Sequence, residues 1–318
     1  MLFYGQAPDL HRSPAFAGIA GLALAAALAI ATPAIGQEPH GEHGHAHTEP
    51  SARHLGDRHS HGGFPEFVDV FFTHHAYLER KLHPRFGATY ANLENEFEGS
   101  GELAWRFNRW IGGELEVPVV GVSPEMGEGH GGIGDIEVAP MVALWQSPVR
   151  LTIVSARSGF VLPTGDEDEG LGAEGWTWEP GLLLWQGYGA EKRGAIQAEL
   201  TYERLYADAG PDEEELVYNL AWSHWLPSNW IPIAELNGVT RLSDEPAEDH
   251  EEEEPAGGLT LAHGDVAGGE EETVVSGTLG FRYAFANGQQ WGAGIQLPLS
   301  DTEGYDWRLV IGGIIHLD

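Results

Sequence analysis

The chain contains no cysteine among its 318 residues. Disulfides, thiolate metal sites, cysteine nucleophiles and a lipidated N-terminal cysteine are therefore excluded. Positive charge is scarce, with 16 Lys and Arg against 49 Asp and Glu and a formal net charge of −33. So acidic a chain repels nucleic acid and anionic bilayer surfaces and draws cations, so no nucleic-acid partner is expected. Long apolar runs are missing beyond residue 36, where each one is broken by Glu, Arg, Gly or Pro. Any later passage through a membrane then requires a closed barrel, because backbone polar groups in lipid must be satisfied within the structure. Catalytic signatures are thin. No Gly-x-Ser-x-Gly elbow occurs, and Ser223 and His224 are adjacent, so in a strand they point to opposite faces. The run Gly132-Ile133-Gly134-Asp135 lacks the strand–helix setting of a nucleotide site. No enzyme activity is expected.

Glycine and tryptophan are abundant, at 44 and 11 residues, which suits β structure. The apolar, Ala-rich stretch from Phe16 to Ala31, followed by small residues at Ala34 and Gly36, reads as a signal peptide over 1–36 with cleavage before Gln37. The core is shorter than the roughly 20 apolar residues of a spanning helix. From residue 81 onward apolar and polar residues alternate at period two, the mark of strands. Twelve segments are expected: 81–92, 99–107, 110–121, 132–145, 149–162, 175–186, 193–206, 215–226, 231–242, 273–285, 290–299 and 305–317. Arg157 falls on the face of Leu151 and Ile153, which suggests a bulge near Ser155, and alternation is weak in 231–242. In the last segment Tyr305, Trp307, Leu309 and Ile311 share one face.

The connections alternate between short and long. Asn108-Arg109 is short, and residues 243–273 form a very long loop with 12 acids and no Lys or Arg. Even strand count, short periplasmic turns and long outer loops are the asymmetry of outer-membrane barrels. Phe107, Trp110, Trp145, Trp185, Tyr188, Trp225, Trp230, Phe285 and Trp291 flank the short turns, as an interfacial aromatic girdle requires. Ionisable residues fall on the polar register, which faces the lumen when the apolar register faces lipid. Lumen-lining positions are accordingly expected at Glu102, Arg106, Glu114, Glu116, Asp135, Glu137, Glu179, Glu199, Glu203, Arg282, Asp306 and Arg308.

Several stretches carry a likeness. They are Leu115-Glu116-Val117-Pro118, Gly131-Gly132-Ile133-Gly134-Asp135-Ile136, Gly159-Phe160-Val161-Leu162-Pro163-Thr164-Gly165-Asp166, Ala234-Glu235-Leu236-Asn237-Gly238 and Tyr305-Asp306-Trp307-Arg308-Leu309. In order and spacing they resemble the outer-membrane meta-pathway phenol-degradation family, over about 78–317. The resemblance implies a transporter-like β-barrel and cargo among aromatic or hydrophobic compounds. It does not extend to the usual terminal aromatic residue, which is Asp318 here.

Two further features stand outside that likeness. His40, His43, His45, His47, His54, His59 and His61 lie in a Gly- and acid-rich stretch, where imidazoles could take a loosely bound divalent metal such as Zn, Cu or Ni. Otherwise no cofactor is expected. The acidic loop has no spacing of a Ca²⁺ site and reads as solvated. Phe64, Phe67, Phe71, Phe72 and Tyr77 make residues 64–80 aromatic, either a periplasmic plug or an extra strand. The expectation is thus an all-β chain: leader 1–36, His-rich 37–63, aromatic segment 64–80 and an up-and-down membrane barrel 81–318 in the bacterial outer membrane. It would pass small solutes, or alternatively handle metal through its tail. Its partners would be outer-membrane lipid, lipopolysaccharide, the barrel-assembly machinery and a small-molecule solute.

Overall fold

The computed structural model describes residues 64–90, 94–124, 129–173, 175–189, 192–207, 212–242, 273–300 and 305–317. The expected leader, the His-rich stretch and all of the acidic loop but Thr273 lie outside them. The strands in chain order are β1 (Lys81–Tyr90), β2 (Glu94–Arg106), β3 (Ile111–Pro124), β4 (His130–Ile133), β5 (Ile136–Ser147), β6 (Thr152–Leu162) and β7 (Gly175–Tyr188). They continue with β8 (Gly194–Ala207), β9 (Glu213–His224), β10 (Trp230–Arg241), β11 (Thr273–Ala284), β12 (Gln290–Pro298) and β13 (Trp307–His316). Every pairing is antiparallel and, apart from β3 with β5, joins chain neighbours until β13 returns to pair with β1, for example Lys81 with His316 and Phe86 with Ile311, so the sheet closes.

β4 and β5 both pair with β3, β4 at Val119–Val122 and β5 at Ile111–Glu116. They are two parts of one stave, interrupted at Gly134-Asp135, and the ring therefore has twelve staves. No helix among the described residues is long and apolar enough to cross a membrane. The strands cross it instead. Their outward faces carry exposed aliphatic side chains such as Leu115, Val138, Leu182, Leu200, Leu220 and Leu279. Their inward faces hold buried polar ones, as in β8, where Gln197, Glu199, Thr201 and Glu203 point inward. Exposed Phe107, Trp110, Trp145, Trp230 and Phe285 mark the short-turn end, and exposed Phe160, Trp176 and Trp307 the opposite end, as aromatic belts at two interfaces should.

Three expectations are corrected. β6 has no bulge at Ser155: Leu151, Ile153, Ser155 and Arg157 all point inward in continuous register with β7. The irregularity lies on its neighbour β5, between Ala143 and Trp145, where the extra residue leaves Leu144 and Trp145 consecutively exposed. Trp185 and Trp225 do not belong to the girdle. Both are buried, Trp185 to 1 % exposure, because they face the interior. Tyr305 likewise turns inward, its hydroxyl 2.6 Å from that of Ser276. Each misplaced side chain packs on something inside the ring.

Candidate functional site

What fills the ring is the chain's own segment 64–80. Every residue from Phe67 to Glu79 is buried, yet none is in a strand. A buried backbone without a ladder must find other partners for its N–H and C=O groups, and the barrel wall supplies them from side chains. Glu235 on β10 accepts the N–H of Phe71 at 2.6 Å through Oε1, and those of Phe72 at 3.1 Å and Thr73 at 3.0 Å through Oε2. It also accepts the Thr73 hydroxyl at 3.0 Å. Glu199 on β8 accepts the His74 N–H at 2.9 Å and sits 2.7 Å from His74 Nδ1. Asn219 donates to the same carboxylate at 2.9 Å and fixes its rotamer.

Donors face the segment's carbonyls in turn. Arg282 reaches the Asp69 and Val70 oxygens at 2.7 and 3.0 Å, Gln197 the Val68 oxygen at 2.8 Å, and Gln290 the Phe67 oxygen at 3.1 Å. Ser155 donates to the Ala76 oxygen. Apolar packing completes the seat. Phe67, Ala76, Tyr77 and Leu78 pack with Met141, Leu151, Ile153, Leu183 and Trp185. Phe71 and Phe72 pack with Trp225, Ile231 and Ile233. The Phe67 ring stacks on Tyr77 at 4.1 Å and stands edge-on to Trp185 at 5.0 Å.

Asp69 is the segment's electrostatic centre. Lys81 Nζ lies 2.5 Å from Oδ2, Tyr77 donates to Oδ1, and His75 and His83 each bring an Nδ1 to 3.8 Å. Burial would raise its pKa, but the Lys81 ammonium and the two imidazoles outweigh burial and hold the carboxyl well below its usual range. Burial, reinforced by that carboxylate, pushes the Tyr77 phenol well above its usual value and keeps it a donor.

Around this seat the wall has two sectors. On β1–β7 it is ionic. Arg157 lies among Glu114, Glu137 and Glu179, at 3.2 Å from the first and 3.5 Å from the last, and Arg85 pairs with Glu116 and lies 3.7 Å from Glu102. On β9–β13 it is largely amide and hydroxyl: Asn237 joins Asn219, Thr278 and Gln296 within 2.9–3.3 Å. Thirteen buried Asp and Glu among the described residues outnumber the five buried Lys and Arg. The interior is therefore a low-dielectric space that favours positive charge.

Of the positions expected from sequence to line the lumen, Glu102, Glu114, Glu116, Glu137, Glu179, Glu199, Glu203, Arg282 and Arg308 are buried on inward faces. Arg106 is half-buried and Asp306 is exposed. Asp135 is buried but serves a loop. Its Oδ1 accepts the N–H of Thr164 and Gly165, each at 2.8 Å, and its Oδ2 that of Ala173 at 2.7 Å. Thr164 Oγ1 answers by donating to the Gly134 oxygen at 2.9 Å. The Gly-Ile-Gly-Asp and Pro-Thr-Gly-Asp motifs thus clasp one another. Gly172 has to be glycine there, because a Cβ would stand 2.5 Å from Asp135 Oδ1.

Glu235, Arg157 and Asp69 were not singled out as site residues by the sequence, although Glu235 stands inside the Ala-Glu-Leu-Asn-Gly motif. The histidines of the tail, His40 to His61, lie outside the described residues.

A family model described as "Putative MetA-pathway of phenol degradation" matches residues 109–305. No curated protein matches the chain in sequence. Among solved structures, an outer membrane channel from Pseudomonas putida F1 is 11% identical with a TM-score of 0.55, covering 79% of this chain and 100% of its own. The NanC porin is 10% identical with a TM-score of 0.51, covering 74% of this chain and 100% of its own. At these identities the likeness is one of fold.

Proposed function

This chain belongs to the family just described for phenol degradation, and from that membership and the filled interior we propose an outer-membrane channel for small solutes that segment 64–80 holds shut. The barrel is one of the bacterial outer membrane. One observation carries the reading: among the described residues no strand pairing joins 67–79 to the wall. Residues 67–79 are held through wall side chains such as Glu235, Glu199, Arg282 and Gln197. The segment can withdraw without breaking a rung of the barrel ladder, whereas a thirteenth strand could not. Displacement would uncover Leu151, Ile153, Leu183 and Trp185 on one side and the acid-rich wall on the other. That surface suits an aromatic compound, above all one that is neutral or cationic. Lipid and lipopolysaccharide would meet the outward aliphatic face, and the barrel-assembly machinery would insert the ring.

Planar-bilayer recording tests it. The wild-type protein should open rarely, and Glu235→Ala, which leaves three segment N–H groups without an acceptor, should open often and pass cations over anions. Closed bilayers with both proteins, together with unchanged solute uptake in a strain lacking the protein, would dispose of the channel.

A further inference from the structure

We propose a divalent-metal site between the segment and the wall, formed by His75 of the segment, Glu102 of β2 and Glu114 of β3. One ligand atom from each of these residues lies within 4.8 Å of the others. All three are buried, Glu102 to 5 % and Glu114 to 7 % exposure. Each carboxylate is half used. Glu114 gives Oε2 to Arg157 at 3.2 Å, and Glu102 holds Oε2 near His83 and Arg85 at 3.5 and 3.7 Å. Their Oε1 atoms are buried with no hydrogen-bond partner. Glu114 Oε1 stands 3.2 Å from His75 Nε2. An unpartnered buried carboxylate oxygen is costly, and a pair of them beside an imidazole forms a mixed N/O donor set.

Two features favour a dication over a bare proton. The first is charge. Around the three side chains stand Asp69, Glu102, Glu114, Glu116, Glu137 and Glu179, against Lys81, Arg85 and Arg157, an excess of three negative charges. A protonated His75 offsets one of them, and a divalent ion offsets two while satisfying both free oxygens. The second is position. His75 turns Nε2 toward the carboxylates, 3.2 Å from Glu114 Oε1, and Nδ1 away from them toward Lys81 Nζ at 3.3 Å. Imidazole with carboxylates suits zinc and its neighbours, with water as a fourth ligand. The ion would tie a residue of the segment to two staves of the barrel and so hold the segment in place. That consequence rests on the channel reading, but the site itself does not.

The test uses the full chain in detergent, with the seven tail histidines (His40, His43, His45, His47, His54, His59 and His61) and the loop histidines His250 and His263 replaced by serine to remove imidazole binding there. Titrated with zinc, this protein should bind one equivalent. His75→Ala and Glu114→Gln should each weaken binding at least roughly tenfold, with heat-modifiable gel mobility confirming that the barrel has folded. Zinc should also slow amide exchange across residues 64–80 in the serine-substituted protein and leave His75→Ala unmoved. Equal zinc affinity in all three proteins overturns the site, and bound zinc without any slowing overturns the tie to the wall. Neither measurement needs current through the barrel, so a failed channel reading leaves both outcomes legible.

Discussion

Asp69 gathers Tyr77 and His75 of the segment and Lys81 and His83 of β1 about one buried carboxylate. Its depressed pKa sets the sign of a pH effect. A carboxyl whose folded pKa lies below its unfolded value near about 3.9 stabilises the docked state above that value, and the contribution is lost only as pH falls through the folded pKa. Docking should therefore survive acidification to about pH 4 and weaken only as pH falls further, through the folded pKa of Asp69. A cysteine introduced at Ala76, which is fully buried, reports this through its reaction with a neutral thiol reagent. Labelling should stay slow from neutral pH to about pH 4. Asp69→Asn in the same background should label faster already at neutral pH. If the lost contacts amount to about 2 kcal/mol, the increase is roughly thirtyfold. Identical labelling of the two proteins at neutral pH would remove Asp69 from this role.

At the scale of the element, strand positions were legible because a membrane barrel enforces the period-two rule on its lipid face. The segment expected at 273–285 is Thr273–Ala284, and that expected at 193–206 is Gly194–Ala207. The rule failed where the inward face is apolar as well. In β6 and β10 the inward residues include Ile153, Ile231 and Ile233, which pack on Phe67 and Phe71 from the segment. Alternation weakens there, and Arg157 looked out of place beside Leu151 and Ile153. Trp185 and Trp225 were misplaced for the same reason: a ring beside a short turn can face lipid or a filled interior, and only the segment's position decides. Glu199 and Arg282 were legible because their strands alternate cleanly. Asp69 was not, since an irregular segment has no period to read. The clasp at Asp135 is a property of two loops, and it carries its own prediction. Asp135→Ala leaves the N–H groups of Thr164, Gly165 and Ala173 without their acceptor. The cost should be about 1–3 kcal/mol. It should appear as protease nicking within residues 163–173 and a lower temperature for loss of the compact gel form, while zinc binding and channel currents stay as in wild type. Unchanged nicking would mean that the loop does not depend on the clasp.

On the scale of the whole molecule, a ring of about twelve staves encloses more space than its own inward side chains fill and less than an open porin does. The acidic wall cannot close that space by itself, because among the described residues eleven buried carboxyl groups outside the segment, against five Lys and Arg, repel one another. A segment that offers backbone N–H groups to Glu235 and Glu199, and the Asp69 carboxylate to Lys81 of β1, fills the space. Its removal would restore a hydrated, cation-attracting path. Whether the segment is the gate can be decided because the chain is free of cysteine. Ala76 and Ser155 meet through the Ser155 hydroxyl and the Ala76 oxygen, so Ala76→Cys with Ser155→Cys places a thiol on the segment opposite one on the wall. The oxidising periplasm should join them. Combined with Glu235→Ala, which opens the channel on the present reading, the oxidised pair should silence the currents and a reductant should restore them. Either cysteine alone should respond to neither treatment. Currents that persist through the oxidised cross-link would place the conducting path elsewhere and leave segment 64–80 as a fixed part of the barrel's packing.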